Sequence, residues 1–206
     1  CRVAFLSTTS HDMNIVGILL AAGHSRRFLH GNKLLHPLPS RRPIAQLAAQ
    51  NLLAALPQSL AVVRPETPKL QALLRETGLD ILICEPDQQE MADSLAAAVR
   101  QVMFRSTPPD AIVIALADMP FIRPDTMTTL AQHLASGVPI VAPTYQGLRG
   151  HPVGFSKRFY AELATLQGDE GARSVLRQHV EAIKLVECDD PGILQDLDTW
   201  EDLQRL

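Results

Sequence analysis

Aromatic residues make up only 4% of this 206-residue chain, so its core must rest on Leu, Ala, Val and Ile. Cysteine is rare as well. Cys1, Cys84 and Cys188 are widely spaced, no CxxC pair occurs, and the odd count argues against a disulfide framework. A reduced, cytoplasmic setting is the simplest expectation. No apolar run approaches the ~20 residues of a membrane helix. The opening CRVAFLSTTSHD has too short an apolar stretch for a signal peptide and no small-residue cleavage site after it. Met13 is the expected start, with residues 1–12 a disordered or non-native tail and 13–206 one domain. The length suits a single domain that buries roughly 70% of the surface its unfolded form exposes.

A second absence is one of sign. Between Met13 and Pro65 there is no Asp or Glu, yet the segment holds Arg26, Arg27, Lys33, Arg41, Arg42 and Arg64. In a chain of net charge −3, those six cations leave −9 on the remainder. A basic stretch in an otherwise acidic protein suits an anion held locally better than a nucleic-acid surface, which usually accompanies a basic domain. Chance clustering on a solvated loop is the bland alternative.

What is present is a series of apolar runs alternating with helical patterns. Strands are expected at Ile15 to Ala21, Ser59 to Val63, Asp80 to Cys84, Asp110 to Ala117 and Val138 to Ala142. Helices are expected from Pro43 to Pro57, Lys69 to Glu76, Met91 to Arg105 and Pro124 to about Ser136. Such alternation implies an α/β fold of three layers, with a mostly parallel sheet and helices on both faces. After Pro143 the glycines and Pro152 break the pattern, and a hairpin or irregular insertion is expected. Helices Lys157 to Leu166 and Glu170 to His179, a strand Ala182 to Val186 and a closing helix Thr199 to Leu206 would complete the chain.

Ligands of open α/β sheets bind beyond the carboxyl ends of the strands. One such end is LLAAGHSRRFLHGNK, Leu19 to Lys33. Small residues at Ala21, Ala22 and Gly23 let a ligand approach backbone amides, Ser25 adds a donor, and Arg27 and Lys33 add positive charge. This suits a triphosphate. The segment is not a Walker A loop, because Gly31-Asn32-Lys33-Leu34 lacks the Ser or Thr, and no GxGxxG occurs. The other end is Asp118, which closes a wholly apolar strand. A carboxylate there suits Mg²⁺ facing phosphates, or caps the following turn. No GxSxG or Cys-His arrangement supports covalent catalysis. His24, His30 and His36, spaced by six, fit no metal-ligand face.

Five segments together resemble the molybdenum cofactor nucleotidyltransferase-like family: Leu20-Ala21-Ala22-Gly23-His24-Ser25-Arg26-Arg27-Phe28 with Lys33, Leu116-Ala117-Asp118-Met119-Pro120, Gly150-His151-Pro152-Val153-Gly154-Phe155, Gly168-Asp169-Glu170-Gly171-Ala172-Arg173, and Asp196-Leu197-Asp198-Thr199-Trp200-Glu201-Asp202-Leu203. The resemblance implies a Rossmann-like nucleotide-diphospho-sugar transferase fold and Mg²⁺-dependent transfer of a nucleoside monophosphate from an NTP to a phosphorylated acceptor. It places Leu20, Ala21, Ala22, Gly23, Ser25 and Ser94 at the nucleotide, Arg27 and Lys33 on its phosphates as catalytic cations, and Asp118 on the metal. Asp198 would join the metal or cap the closing helix, the cap being favoured. His151 and Arg173 are candidates for the acceptor, although pairing with acidic neighbours is the favoured reading of Arg173. The two alanines before Gly23 look like the cytidylyl branch, which implies CTP rather than GTP and a molybdopterin-type acceptor, with a molybdoenzyme or its maturation factor as a further partner. A sugar or alcohol phosphate acceptor, or a non-catalytic cofactor carrier, are the alternatives. The chain departs from the family pattern where Leu29 and His30 delay Gly31 and Lys33, and where Glu90 replaces a glycine.

Overall fold

The computed structural model describes residues 13–23, 31–85 and 90–205. The expected tail, residues 1–12, lies outside them. Continuous runs of apolar, β-branched residues form the central strands β1 (Ile15–Leu20), β2 (Ser59–Val63), β3 (Asp80–Ile83) and β4 (Ala111–Leu116). β1 pairs in parallel with β2 on one side and β4 on the other, and β2 pairs in parallel with β3. The connecting helices are α1 (Ile44–Ala55), α2 (Pro68–Thr77) and α3 (Met91–Met103), and α4 (Pro124–Ala135) follows β4. Pro43, Pro68 and Pro124 stand at helix starts, where a missing N–H is harmless.

Alternation along the strands divides the core into two. Leu19, Val113 and Ala115 face α1, α2 and α4 through Leu52, Leu74 and Leu130. Val16, Ile18, Ile112 and Ile114 face α3 through Leu95, Val99 and Val102. The expected three-layer α/β arrangement with a mostly parallel sheet is therefore what the chain adopts.

The Gly- and Pro-rich stretch after β5 (Ile140–Tyr145) is more ordered than its composition suggests. A short strand β6 (Leu148–Arg149) returns antiparallel on β5, and β7 (Val153–Ser156) then enters the sheet antiparallel between β4 and β5. Its Phe155 is fully buried. Gly154 cannot be larger: a Cβ there would lie 2.7 Å from Leu134 Cδ1 and 2.8 Å from Val141 Cγ1. The two helices expected next are shorter than their patterns. α5 covers Tyr160–Leu163 after a 3₁₀ turn, and α6 begins at Arg173 and ends at Gln178, because Gly168 and Gly171 take positive φ and delay it. β8 (Ile183–Glu187) pairs in parallel with β5. The closing helix α7 spans Trp200–Gln204.

Candidate active site

β1 and β4 are neighbours, but the chain leaves β1 toward β2, so the sheet order reverses at their carboxyl ends. Such a reversal opens a crevice. Leu20 and Leu116 are register partners at its floor, and the Ala117 amide donates to the Leu20 carbonyl at 3.0 Å. Ala21 and Ala22 are buried and Gly23 is exposed, with no atom of the described residues within 4 Å of where a Cβ would stand. The Ala21 amide is spent on the Val62 carbonyl at 2.9 Å, so this part of the expected amide cradle belongs to the sheet. Ser25 and Arg27 lie outside the described residues.

Lys33 opens a 3₁₀ turn, Lys33–Leu35, that Asn32 caps by accepting from the Leu34 amide at 3.0 Å. The lysine points into the crevice and is 8% exposed. Its Nζ donates to Asp118 Oδ2 at 2.8 Å and to Asp198 Oδ1 at 2.6 Å. Burial alone would push the ammonium toward losing its proton. The attraction of Asp118 and the hydrogen bonds to Asp118 and Asp198 outweigh that, so Lys33 holds its proton more tightly than an ordinary lysine.

Asp198 corrects an expectation. It does not cap α7. Thr199 is the N-cap, accepting from the Asp202 amide, while the Asp202 carboxylate takes the Thr199 amide and hydroxyl in a reciprocal capping box. The Asp202 side chain also accepts from the Asp198 amide at 3.1 Å. A carboxylate side chain can satisfy the helix start from within the first turn, which leaves the Asp198 carboxylate to face Lys33.

Two supports were not foreseen. Asn51, on α1, donates its side-chain amide to the carbonyls of Pro120 at 2.9 Å and Ile122 at 3.1 Å, fixing the turn that follows Asp118. Asp190 is 2% exposed and accepts from the Arg123 amide, the Thr126 hydroxyl and the Gly192 amide. It pins the segment that leads to Asp198 onto the start of α4. The Leu197 amide then donates to the Asp118 carbonyl at 2.9 Å, joining the two acid-bearing segments directly. A polar residue within an otherwise apolar helical stripe, as at Asn51, is the sequence signal that could have found the first support.

Near the carboxyl ends of β1 and β4, reached through Leu20 and Leu116, runs an open cleft. Its floor is Leu20, Ile114, Leu116 and Val153, and Met91 and Leu95 of α3 form one wall. Polar groups enter from the rim: His151, Glu170 and Arg173. His151 is held by its amide bond to the Ile193 carbonyl at 3.0 Å, and Gly150 is required there because a Cβ would lie 2.3 Å from that oxygen. The His151 Nδ1 is buried without a hydrogen-bond partner among the described residues. Burial pushes the imidazole below its usual 6.5; Asp118 opposes this, and Arg173 and Arg149 add to it. Arg173 is exposed. The nearby acid Glu170 pairs with Arg177. Ser94 is 1% exposed, with its hydroxyl donated to the Met91 carbonyl at 2.9 Å, and it is not on the cleft surface in this structure.

Among the described residues no group of three or more His, Cys, Asp or Glu could hold a metal. The Asp118–Asp198 pair still suits a divalent cation. Mg²⁺ is typically held by one or two carboxylates, with substrate phosphates and water completing its shell. The Lys33 ammonium standing between the two oxygens is itself a cation in that position.

Fold and site together define a nucleotidyltransferase. The chain belongs to the family of the MobA-like NTP transferase domain, whose model matches residues 17–183, in keeping with the molybdenum cofactor nucleotidyltransferase-like resemblance of its motifs. It is 30% identical over 197 residues to the purine catabolism protein PucB of Bacillus subtilis, covering 91% of this chain and 93% of that protein. It is 28% identical to the nicotine blue oxidoreductase of Paenarthrobacter nicotinovorans, over 93% of this chain and 96% of the relative. Among solved structures, the manganese complex of Rv0371c from Mycobacterium tuberculosis superposes with a TM-score of 0.78 at 26% identity, covering 94% and 97% of the two chains.

Proposed function

We propose that this nucleotidyltransferase is a cytidylyltransferase. It moves CMP from CTP to a phosphorylated acceptor of molybdopterin type and releases pyrophosphate. The observation that carries the reading is the meeting of Lys33, Asp118 and Asp198 at the carboxyl ends of β1 and β4. The alanines at 21 and 22 support CTP over GTP. The names of the two relatives, one in purine catabolism and one an oxidoreductase, specify no acceptor; the acceptor assignment rests on the resemblance of the motifs to the molybdenum cofactor family.

Asp118 and Asp198 hold Mg²⁺, which when bound neutralises charge on the triphosphate and orients the α-phosphate. The loop after β1 receives the nucleotide, with Leu20, Ala21, Ala22, Gly23 and Ser25 along it and Ser94 behind. Arg27 and Lys33 neutralise the departing pyrophosphate. The acceptor lies in the apolar cleft, a setting for a flat ring system, with Arg173 meeting its phosphate and His151 contacting the ring. An oxygen of the acceptor phosphate attacks the α-phosphorus and the α–β bond breaks. That phosphate is already ionised at neutral pH, so no general base is needed, and positioning with charge neutralisation supplies the rate.

The test is pyrophosphate release with Mg²⁺ and molybdopterin, comparing CTP with GTP. Release with CTP supports the reading. Release with GTP alone overturns the base assignment, and tight pterin binding without release in either case would make the protein a carrier.

A further inference from the structure

The gap between Asp118 and Asp198 is not empty of positive charge. Lys33 Nζ lies 2.8 Å from one carboxylate oxygen and 2.6 Å from the other. Mg²⁺ held by either carboxylate would stand closer still, at about 2.0–2.1 Å from its oxygen ligands. Both positions fall within the same few ångströms, and two cations there would repel strongly in a partly desolvated crevice. The side chains are only 10%, 24% and 23% exposed for Lys33, Asp118 and Asp198, so water screens the group weakly.

We propose that the Lys33 ammonium and the divalent cation are alternative occupants of the Asp118–Asp198 gap, so that the free protein excludes the metal until Lys33 is drawn away. This rests on the assignment of Asp118 and Asp198 as metal carboxylates. In this structure Lys33 donates to both converging carboxylates and holds them together. Its four-carbon stem is flexible, and a triphosphate entering beside it offers the ammonium a new anionic partner. Nucleotide and metal then bind cooperatively through one side chain, each raising the affinity of the other by the same factor.

The experiment is a Mn²⁺ titration of the nucleotide-free protein followed by electron paramagnetic resonance, on wild type, Lys33→Met, Asp118→Asn and the double variant. Lys33→Met is expected to bind Mn²⁺ at least about five-fold more tightly than wild type, the low end of couplings between two ligands, and Asp118→Asn to remove the gain. If Asp118→Asn weakens Mn²⁺ binding but Lys33→Met does not strengthen it, the exclusion is wrong and the metal site stands. If Asp118→Asn changes Mn²⁺ binding in neither background, the metal site itself is wrong. Because removing Lys33 strips Asp118 and Asp198 of a shared partner and could unfold the protein, a second measurement uses wild type alone. Acetylation of lysines read by mass spectrometry should show Lys33 becoming more reactive when Mn²⁺ is added without nucleotide, while the exposed Lys69 and Lys184 stay constant. Unchanged Lys33 reactivity at saturating Mn²⁺ overturns the proposal.

Discussion

Eighty-five residues of chain separate Lys33 from Asp118, and their charged atoms lie 2.8 Å apart. The lysine arrives on a turn after β1 and the aspartate at the end of β4. Asp118, together with Asp198, offsets the cost of burying the Lys33 ammonium, since an ion removed from water alone costs several kcal/mol. The ion pair is thus a consequence of two strands ending side by side, and it sets the electrostatics of the crevice.

Asp118→Asn should abolish nucleotidyl transfer while leaving the fold intact. Loss of a metal carboxylate removes several kcal/mol of transition-state stabilisation, on the order of 10³-fold in rate. Pyrophosphate release, set beside an unchanged circular dichroism spectrum, checks this. Turnover within a few-fold of wild type would remove Asp118 from the chemistry.

Asn51→Ala leaves the carbonyls of Pro120 and Ile122 without their donor. Unfolding in urea should show a loss of about 1–3 kcal/mol. Because the turn carrying Asp118 then loosens, kcat should fall more than KM for the nucleotide rises. A purely structural asparagine would lower stability and leave kcat untouched.

Gly154→Ala inserts a methyl against Leu134 and Val141, where contacts of 2.7 and 2.8 Å leave no room. Overpacking of this kind costs about 1–3 kcal/mol, and thermal melts should show the midpoint falling by about 2–4 °C for each kcal/mol. A melt superimposable on wild type would mean that β7 shifts freely in the sheet.

His151 gives a pH signature. Its folded pKa lies below 6.5, so as pH falls through that value the unfolded chain takes up a proton that the folded chain refuses. The stability contributed by neutral His151 is complete above about 6.5 and is lost on acidification toward the folded pKa. Relative to His151→Asn, wild type should lose stability between neutral and mildly acidic pH. Histidine ring proton shifts in NMR should place the His151 midpoint below those of exposed histidines. A midpoint at or above 6.5 contradicts the burial argument.

The order of strands and helices through β5 could be read along the chain, because runs of β-branched residues and helical spacing are set by neighbours a few positions apart. So could Asp118, a lone carboxylate at the end of an apolar strand, and the basic character of the segment holding Lys33. Beyond β5 the same rules gave less. Glycine and proline signal a break in local pattern, but they do not say that the chain re-enters the sheet as antiparallel β7, since that depends on the space between β4 and β5. Asp and Thr both cap well, so local sequence offers Asp198 and Thr199 alike as the cap; the choice of Thr199 follows from the Asp202 carboxylate folding back onto the turn. The partners of Lys33 lie 85 and 165 residues away, and no local spacing encodes such distances. Sequence by itself determined which elements form and which ends carry charge. Packing of the finished sheet decided which of those charges meet, because burial makes an ion worth keeping only where another closes on it.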